Sequence, residues 1–63
     1  MIEVMIERWS QRDGSTEWLW SIWRDGERKH MGGVHVDTDT AETNARAACR
    51  QMYGKNPDDI TIL

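Results

Sequence analysis

The stretch Glu17-Trp18-Leu19-Trp20-Ser21-Ile22-Trp23-Arg24-Asp25-Gly26 decides the fold that we predict for this chain. Residues 17–24 alternate between two faces, with Trp18, Trp20 and Ile22 on one of them. This period of two predicts a β-strand. The Asp25-Gly26 pair that follows indicates a two-residue hairpin, because glycine readily adopts the positive φ of a type I′ turn. We therefore expect an antiparallel hairpin that reverses at residues 25 and 26.

Two further strands flank this ribbon. Residues 1–10 also alternate, with isoleucine or valine at every second position from Ile2 to Ile6, and they predict a first strand. A third strand is predicted over 27–36, after the hairpin turn. The Gly32-Gly33 pair inside it indicates a bulge, or a place where another group packs close to the backbone.

Beyond residue 36 the period changes to that of a helix. Asp37-Thr38-Asp39-Thr40 is typical of a helix start, and Asp39 with Glu42 fits an acidic form of the capping box. Gly54 predicts a left-handed C-cap, and Pro57 prevents continuation. Small or flexible side chains recur at helical spacing: Ala41, Ala45, Ala48, Cys49 and Met52. This narrow stripe predicts a helix that lies close against a sheet.

A short strand at 60–63 completes the order β-β-β-α-β, an α+β fold that we expect to form a single domain over residues 1–63. Tight turns make the first three strands an antiparallel meander. A right-handed crossover through the helix then returns the fourth strand parallel to the first. We expect the sheet order 3-2-1-4, with the helix on one face and the other face bare.

The hairpin turn predicts which residues share a face, because residues opposed across two strands do so. The predicted pairs are Arg24–Glu27, Ile22–Lys29, Trp20–Met31 and Trp18–Gly33. Trp18, Trp20, Ile22 and Met31 should then join Ile2, Val4 and Ile6 beneath the helix. On the bare face we predict five partner-binding residues: Trp9, Leu19, Trp23, Arg28 and His30. The faces of His35 and Val36 stay open at this point.

A bare face rich in Trp, Met and Arg is typical of a protein interface, and it predicts a non-enzymatic binding module such as an adaptor or an inhibitor. The partner is another protein or a second copy of the chain, held through this face or a sheet edge. Three alternatives remain. In the first, the aromatic residues serve only structure or homodimerisation. In the second, Trp23, Arg28, His30 and Lys29 form a platform for single-stranded nucleic acid. In the third, acids such as Glu42, Asp58 and Asp59 serve catalysis.

Composition limits the other function classes. The chain has 63 residues, a net charge of −3 and a pI of about 5.2, which argue against binding nucleic acid through a general basic field. A single cysteine, Cys49, allows no internal disulfide, and no apolar segment is long enough to span a membrane. We expect a soluble cytoplasmic protein with no nucleotide or other cofactor. No metal site is predicted, because His30, His35 and Cys49 are not expected to converge.

The βββα order, with Asp37-Thr38-Asp39-Thr40-Ala41-Glu42 followed by Thr43-Asn44-Ala45-Arg46-Ala47, resembles the N-terminal domain of HicB-type antitoxins over roughly residues 1–53. The resemblance implies a truncated RNase H-like fold and a toxin as partner. It also implies carboxylates at Glu3 or Glu7, Glu42 and Asp58, although the family's leading aspartate on the first strand is absent and we carry over no nuclease activity. In size and composition the chain is also similar to small inhibitors and adaptors that phages and mobile elements encode, anti-CRISPR proteins among them.

Overall fold

The structure, a computed structural model, describes all residues from Met1 to Leu63. It contains four strands and one helix: β1 (Ile2–Ser10), β2 (Thr16–Arg24), β3 (Glu27–His35), α1 (Thr38–Tyr53) and β4 (Asp59–Ile62). The strands form one sheet in the order β3-β2-β1-β4, with β4 parallel to β1 and the other neighbours antiparallel. The predicted α+β fold and its strand order are confirmed.

The hairpin turn between β2 and β3 has the predicted form. Asp25 and Gly26 both have positive φ, 52° and 83°, as a type I′ turn requires. On the other side of β2, the pairing with β1 is regular from Ile2–Arg24 to Ser10–Thr16. The central strand pair is therefore held in a single register along its whole length.

The core lies between α1 and one face of the sheet. The helix contributes only small buried side chains, and the sheet contributes the large ones. The buried apolar residues are Ile2, Val4, Ile6, Trp20, Ile22, Ala41, Ala45 and Cys49. Because alanine and cysteine stand at the contact, the helix axis can approach the sheet closely, and the isoleucines and Trp20 fill the space between them.

The two ends of α1 are capped as the sequence indicates, with one correction. The N-cap is Asp37, whose carboxylate accepts a hydrogen bond from the Thr40 amide at 2.7 Å. Asp39, predicted as the capping residue, instead lies in the first turn, where its charge favours the positive end of the helix dipole. Gly54 is the C-cap with φ of 73°, and its amide donates to the Arg50 carbonyl at 2.8 Å.

Asp58, the residue before β4, forms two hydrogen bonds with the first residue of β1. The Ile2 amide donates to Oδ2 of Asp58 at 2.7 Å, and the Asp58 amide donates to the Ile2 carbonyl at 2.8 Å. The first of these bonds, with help from Lys55, lowers the pKa of the Asp58 carboxyl below its usual value. At pH values above the ordinary aspartate pKa, the contact therefore stabilises the fold. This contribution is lost as the pH falls through the lowered pKa of Asp58.

The register between β2 and β3 differs from the prediction. Only the pair Arg24–Glu27 holds; the expected pairs Ile22–Lys29, Trp20–Met31 and Trp18–Gly33 are wrong. The observed pairs are Trp23–Arg28, Ile22–His30, Ser21–Met31, Trp20–Gly32 and Trp18–His35. One extra residue, Lys29, is thus accommodated in β3 after Arg28, and a second shift falls at Gly33 and Val34. Both irregularities are β-bulges, in which two residues of one strand lie opposite a single residue of the other.

The physical reason for the first shift lies at Trp20, whose indole ring rests on Gly32. A Cβ atom at Gly32 would stand closer than 3.0 Å to three carbon atoms of that ring. The uninterrupted register would have placed Met31 opposite Trp20, where its side chain would compete for the same space. The bulge at Lys29 replaces Met31 with a residue that has no side chain. Both features that the sequence indicated at Gly32-Gly33 are present: the close approach is at Gly32, and the second bulge is at Gly33 and Val34.

The two shifts also decide where both histidines lie. His30 opposes Ile22 on the side that faces α1, and its ring centroid is 5.6 Å from that of Trp20. His35 opposes Trp18 on the same side, and its Nε2 accepts a hydrogen bond from the Trp20 indole N–H at 3.1 Å. The predicted position of His30 on the bare face is therefore wrong. The position of Met31 beneath the helix is wrong as well, because it opposes Ser21 on the bare face.

We expect Gly32→Ala to lower the free energy of unfolding by about 1–3 kcal/mol, the usual cost of forcing a methyl group into filled space. Val34→Ala, at an exposed position of the same strand, serves as the control and should change stability by less than about 0.5 kcal/mol. Urea denaturation followed by circular dichroism measures both. Equal stability of Gly32→Ala and the unmodified protein would show that the indole does not require a bare backbone at position 32.

Candidate functional site

The candidate site is the face of the sheet that α1 does not cover, called here the open face. Alternation along each strand and the observed registers define its members. On β1, β2 and β3 they are Glu3, Met5, Glu7, Trp9, Glu17, Leu19, Ser21, Trp23, Arg28 and Met31, and β4 adds Asp59 and Thr61. Both surface depressions of the molecule are lined chiefly by these residues.

Acidic and large apolar side chains are paired across β1 and β2 on this face. Along the two strands the opposed residues are Glu3–Trp23, Met5–Ser21, Glu7–Leu19 and Trp9–Glu17. Opposed residues have Cβ atoms about 4.5–5.5 Å apart. Each glutamate of the face therefore stands directly beside a tryptophan or a leucine, and the pair Met5–Ser21 carries no charge.

The depressions meet at three side chains, one from each of the first three strands. Trp9, Leu19 and Met31, called here the apolar cluster, line both of them. The smaller depression, of about 70 Å³, extends from the cluster toward Glu7 and Arg28, and the larger, of about 330 Å³, extends toward Glu17 and Gln11. The apolar cluster thus has a carboxylate on each side.

The apolar cluster is accessible to solvent. Trp9 is 55% exposed and Met31 is 49% exposed, while Leu19 between them is half-buried. Exposed apolar residues that stand singly need no explanation, but a contiguous group rimmed by polar residues marks an interaction surface. Here β1, β2 and β3 each contribute one side chain to a contiguous apolar group.

Trp23 has a different environment from Trp9. Its indole N–H donates a hydrogen bond to the Ser21 hydroxyl at 2.8 Å, and Ser21 is only 6% exposed although no helix covers this face. The Trp23 ring thus lies along its own strand toward Ser21 and is itself half-buried. Trp23 therefore contributes to the structure of the open face as well as to its apolar surface.

Four of the five residues predicted to bind a partner lie on the open face. They are Trp9, Leu19, Trp23 and Arg28; His30 lies behind the sheet, beside Trp20. Sequence reasoning missed Met31, which completes the apolar cluster, and Glu17, which opposes Trp9. No local signal marks the bulge at Lys29. It could have been found only by asking which residue of β3 leaves room for an indole at Trp20.

The charged side chains of the open face form no ion pairs within the protein. The three ion pairs of the molecule are Met1–Asp25, Lys29–Glu27 and Arg46–Glu42. None of them involves Glu3, Glu7, Glu17, Asp59 or Arg28. Glu17 accepts a hydrogen bond from the Gln11 side chain at 2.9 Å, which leaves its charge uncompensated. Four carboxylates and one guanidinium therefore face solvent on this surface, and its local charge is negative.

Outside the open face, the groups that could carry chemistry are a cysteine, the possible metal ligands and the carboxylates that the HicB-type resemblance implies. Cys49 is fully buried, and burial followed by the charge of Asp58 raises the pKa of its thiol. No three His, Cys, Asp or Glu side chains are grouped closely enough to hold a metal ion. The carboxylates that the HicB-type resemblance implies are not brought together, because Glu3 and Glu7 lie on the open face and Glu42 lies on α1. The one helix of the structure is too short and too polar to cross a membrane.

No family model, curated protein or solved structure matches this chain. The likeness to HicB-type antitoxins and the similarity to phage-encoded inhibitors therefore stay predictions from the sequence.

We expect the Trp23–Ser21 hydrogen bond to stabilise the fold rather than serve binding alone. Trp23→Phe removes the donor and should destabilise the protein by about 1–2 kcal/mol, because the largely buried Ser21 hydroxyl loses its partner. A double-mutant cycle with Ser21→Ala, measured by urea denaturation, should give a coupling of about 0.5–1.5 kcal/mol. Strict additivity of the two changes would mean that the bond contributes nothing.

Proposed function

We propose that this protein is a small non-enzymatic protein-binding module, an adaptor, inhibitor or antitoxin-like protein of the cytoplasm, that docks a protein partner on its open face. The observation that carries the proposal is the solvent-accessible apolar cluster of Trp9, Leu19 and Met31, which is rimmed by charged side chains that form no ion pairs within the protein. Tryptophan and methionine are enriched at protein interfaces, and a few large side chains at the centre of a contact carry most of its binding energy.

The face is a better docking surface than either edge of the sheet. One edge is β3, whose two bulges interrupt the regular spacing of backbone groups that an added strand would need. The other is β4, with only four residues. Short strands and bulges are the usual means by which proteins prevent strand addition at an edge. Of the two routes that the sequence suggests, docking on the face is therefore favoured.

The nucleic-acid alternative loses support from the same geometry. A stacking platform for single strands needs aromatic side chains interleaved with cations. His30 lies on the opposite side of the sheet, and Lys29 is in the bulge and pairs with Glu27. Arg28 is the one cation among the residues of the open face, which also carries Glu3, Glu7 and Glu17. Phosphate groups would meet repulsion at this surface.

A photo-crosslinking amino acid placed at Met31 tests the proposal directly. In the cells that make the protein, we expect it to yield a discrete adduct with another protein. The matched control is the same amino acid at Met52, which is 42% exposed but lies on α1. The adduct should be absent there, since the helix surface is not part of the docking surface.

The captured protein, identified and purified, should then bind the unmodified module in a defined stoichiometry. Trp9→Ala should weaken that complex at least tenfold, the effect of about 1.4 kcal/mol at an interface anchor, and leave the circular dichroism spectrum unchanged. Equal crosslinking from positions 31 and 52, or undiminished binding by the Trp9→Ala variant, would refute docking on the open face.

A further inference from the structure

The open face also indicates what kind of partner it accepts. We infer that its occupant is an amphipathic helix of another protein that presents lysine or arginine side chains beside an apolar stripe. The inference rests on the proposed function, because it assumes that the open face is the docking surface. It adds the charge and the secondary structure of the docked segment.

The charge follows from the cross-strand pairs. Glu3 opposes Trp23, Glu7 opposes Leu19, and Glu17 opposes Trp9, so each of the three carboxylates has a large apolar side chain as its direct neighbour. A lysine or arginine side chain has the same two parts, an apolar stem and a cationic head. Its stem can pack on the tryptophan or leucine while its head meets the carboxylate, and an indole face adds a cation–π attraction.

A second copy of the chain fits this surface less well. Two copies docked face to face would bring up to eight carboxylates together with two Arg28 side chains, since each face carries Glu3, Glu7, Glu17, Asp59 and Arg28. Like charges juxtaposed across an interface oppose association. A cationic partner removes this repulsion and compensates carboxylates that have no ion pair within the protein. The charge of the face therefore favours a different protein over self-association.

The dimensions of the part of the open face that β1, β2 and β3 form match one helix. From Glu3 to Trp9 on β1 the paired rows extend about 20 Å, at roughly 3.3 Å per residue. From β1 across β2 to β3 the breadth is about 10 Å, two strand spacings. A helix of about 13 residues is about 20 Å long and 10–12 Å across. A helix on this face would also complete a three-layer arrangement, with the sheet covered on both sides.

The test uses two synthetic peptides of about 15 residues with blocked ends. Both carry leucine at i, i+3, i+4 and i+7; the first has lysine and the second has glutamate at the remaining positions. By isothermal titration calorimetry the lysine peptide should bind the full-length protein, and the glutamate peptide should not. Binding should weaken as ionic strength rises from about 0.05 to 0.3 M, because exposed charges are then screened.

Charge-removing variants locate the site. Glu7→Gln with Glu17→Gln should weaken the lysine peptide about tenfold, as expected when two exposed ion pairs are lost. The control is Asp39→Asn with Glu42→Gln on α1. It also neutralises two carboxylates, so both double variants change the net charge equally, from −3 to −1. The control should bind like the unmodified protein. Equal losses in both double variants would show that only the overall charge matters, and would overturn the inference.

Other outcomes separate this inference from the proposed function. Equal binding of both peptides, abolished by Trp9→Ala, would refute the cationic partner but retain the open face as the docking surface. Binding of neither peptide refutes the cationic helix, while crosslinking from position 31 would still support docking. Sedimentation that shows a dimer, dissociated by Trp9→Ala, would make a second copy the occupant and overturn the inference as well.

Discussion

The contact between the Trp20 indole and the bare backbone of Gly32 determines how the edge strand β3 pairs with β2. Trp20 is 7% exposed and is the largest side chain of a very small core, so its burial contributes several kcal/mol. The edge strand has to oppose it with a residue that has no side chain. The bulge at Lys29 brings Gly32 into that place, and the second shift brings His35 to the indole N–H. Both register shifts of the edge strand β3 thus place residues that fit the Trp20 ring.

This constraint explains which features the sequence could predict and which it could not. The hairpin turn and the C-cap follow from local signals, the Asp25-Gly26 pair and the glycine at the end of α1. The strand order follows from the periods of two and 3.6 together with the tight turns and the right-handed crossover. The bulge at Lys29 has no local signal. It arises because the register that continues from the turn would place the Met31 side chain in the space that the Trp20 indole occupies. Extrapolating the turn's register put His30 on the wrong face and Met31 in the core. A one-residue shift exchanges the faces of all later residues, which is why strand register is the least predictable feature here.

The same shift gives the open face its character. Met31 replaces His30 on that face and joins Trp9 and Leu19, so the surface becomes more apolar and loses a group that can carry positive charge. The carboxylates on β1 and β2 then outnumber the single Arg28. Trp23 lies on this face, as predicted. Its hydrogen bond to Ser21 also gives it a role in the fold, which the strand alternation and the turn type could not indicate. The features that position the core thus also decide the chemistry of the proposed docking surface.

The register of β3 is therefore the most direct quantity to measure. Cross-strand nuclear Overhauser effects between backbone protons report it in solution without any substitution. Contacts that pair Ile22 with His30 and Ser21 with Met31, with Met31 methyl signals close to Leu19 and Trp9, are expected if Trp20 rests on Gly32. Contacts that pair Ile22 with Lys29 and Trp20 with Met31 would show an uninterrupted hairpin. They would return Met31 to the core and remove the apolar cluster on which the proposed function rests.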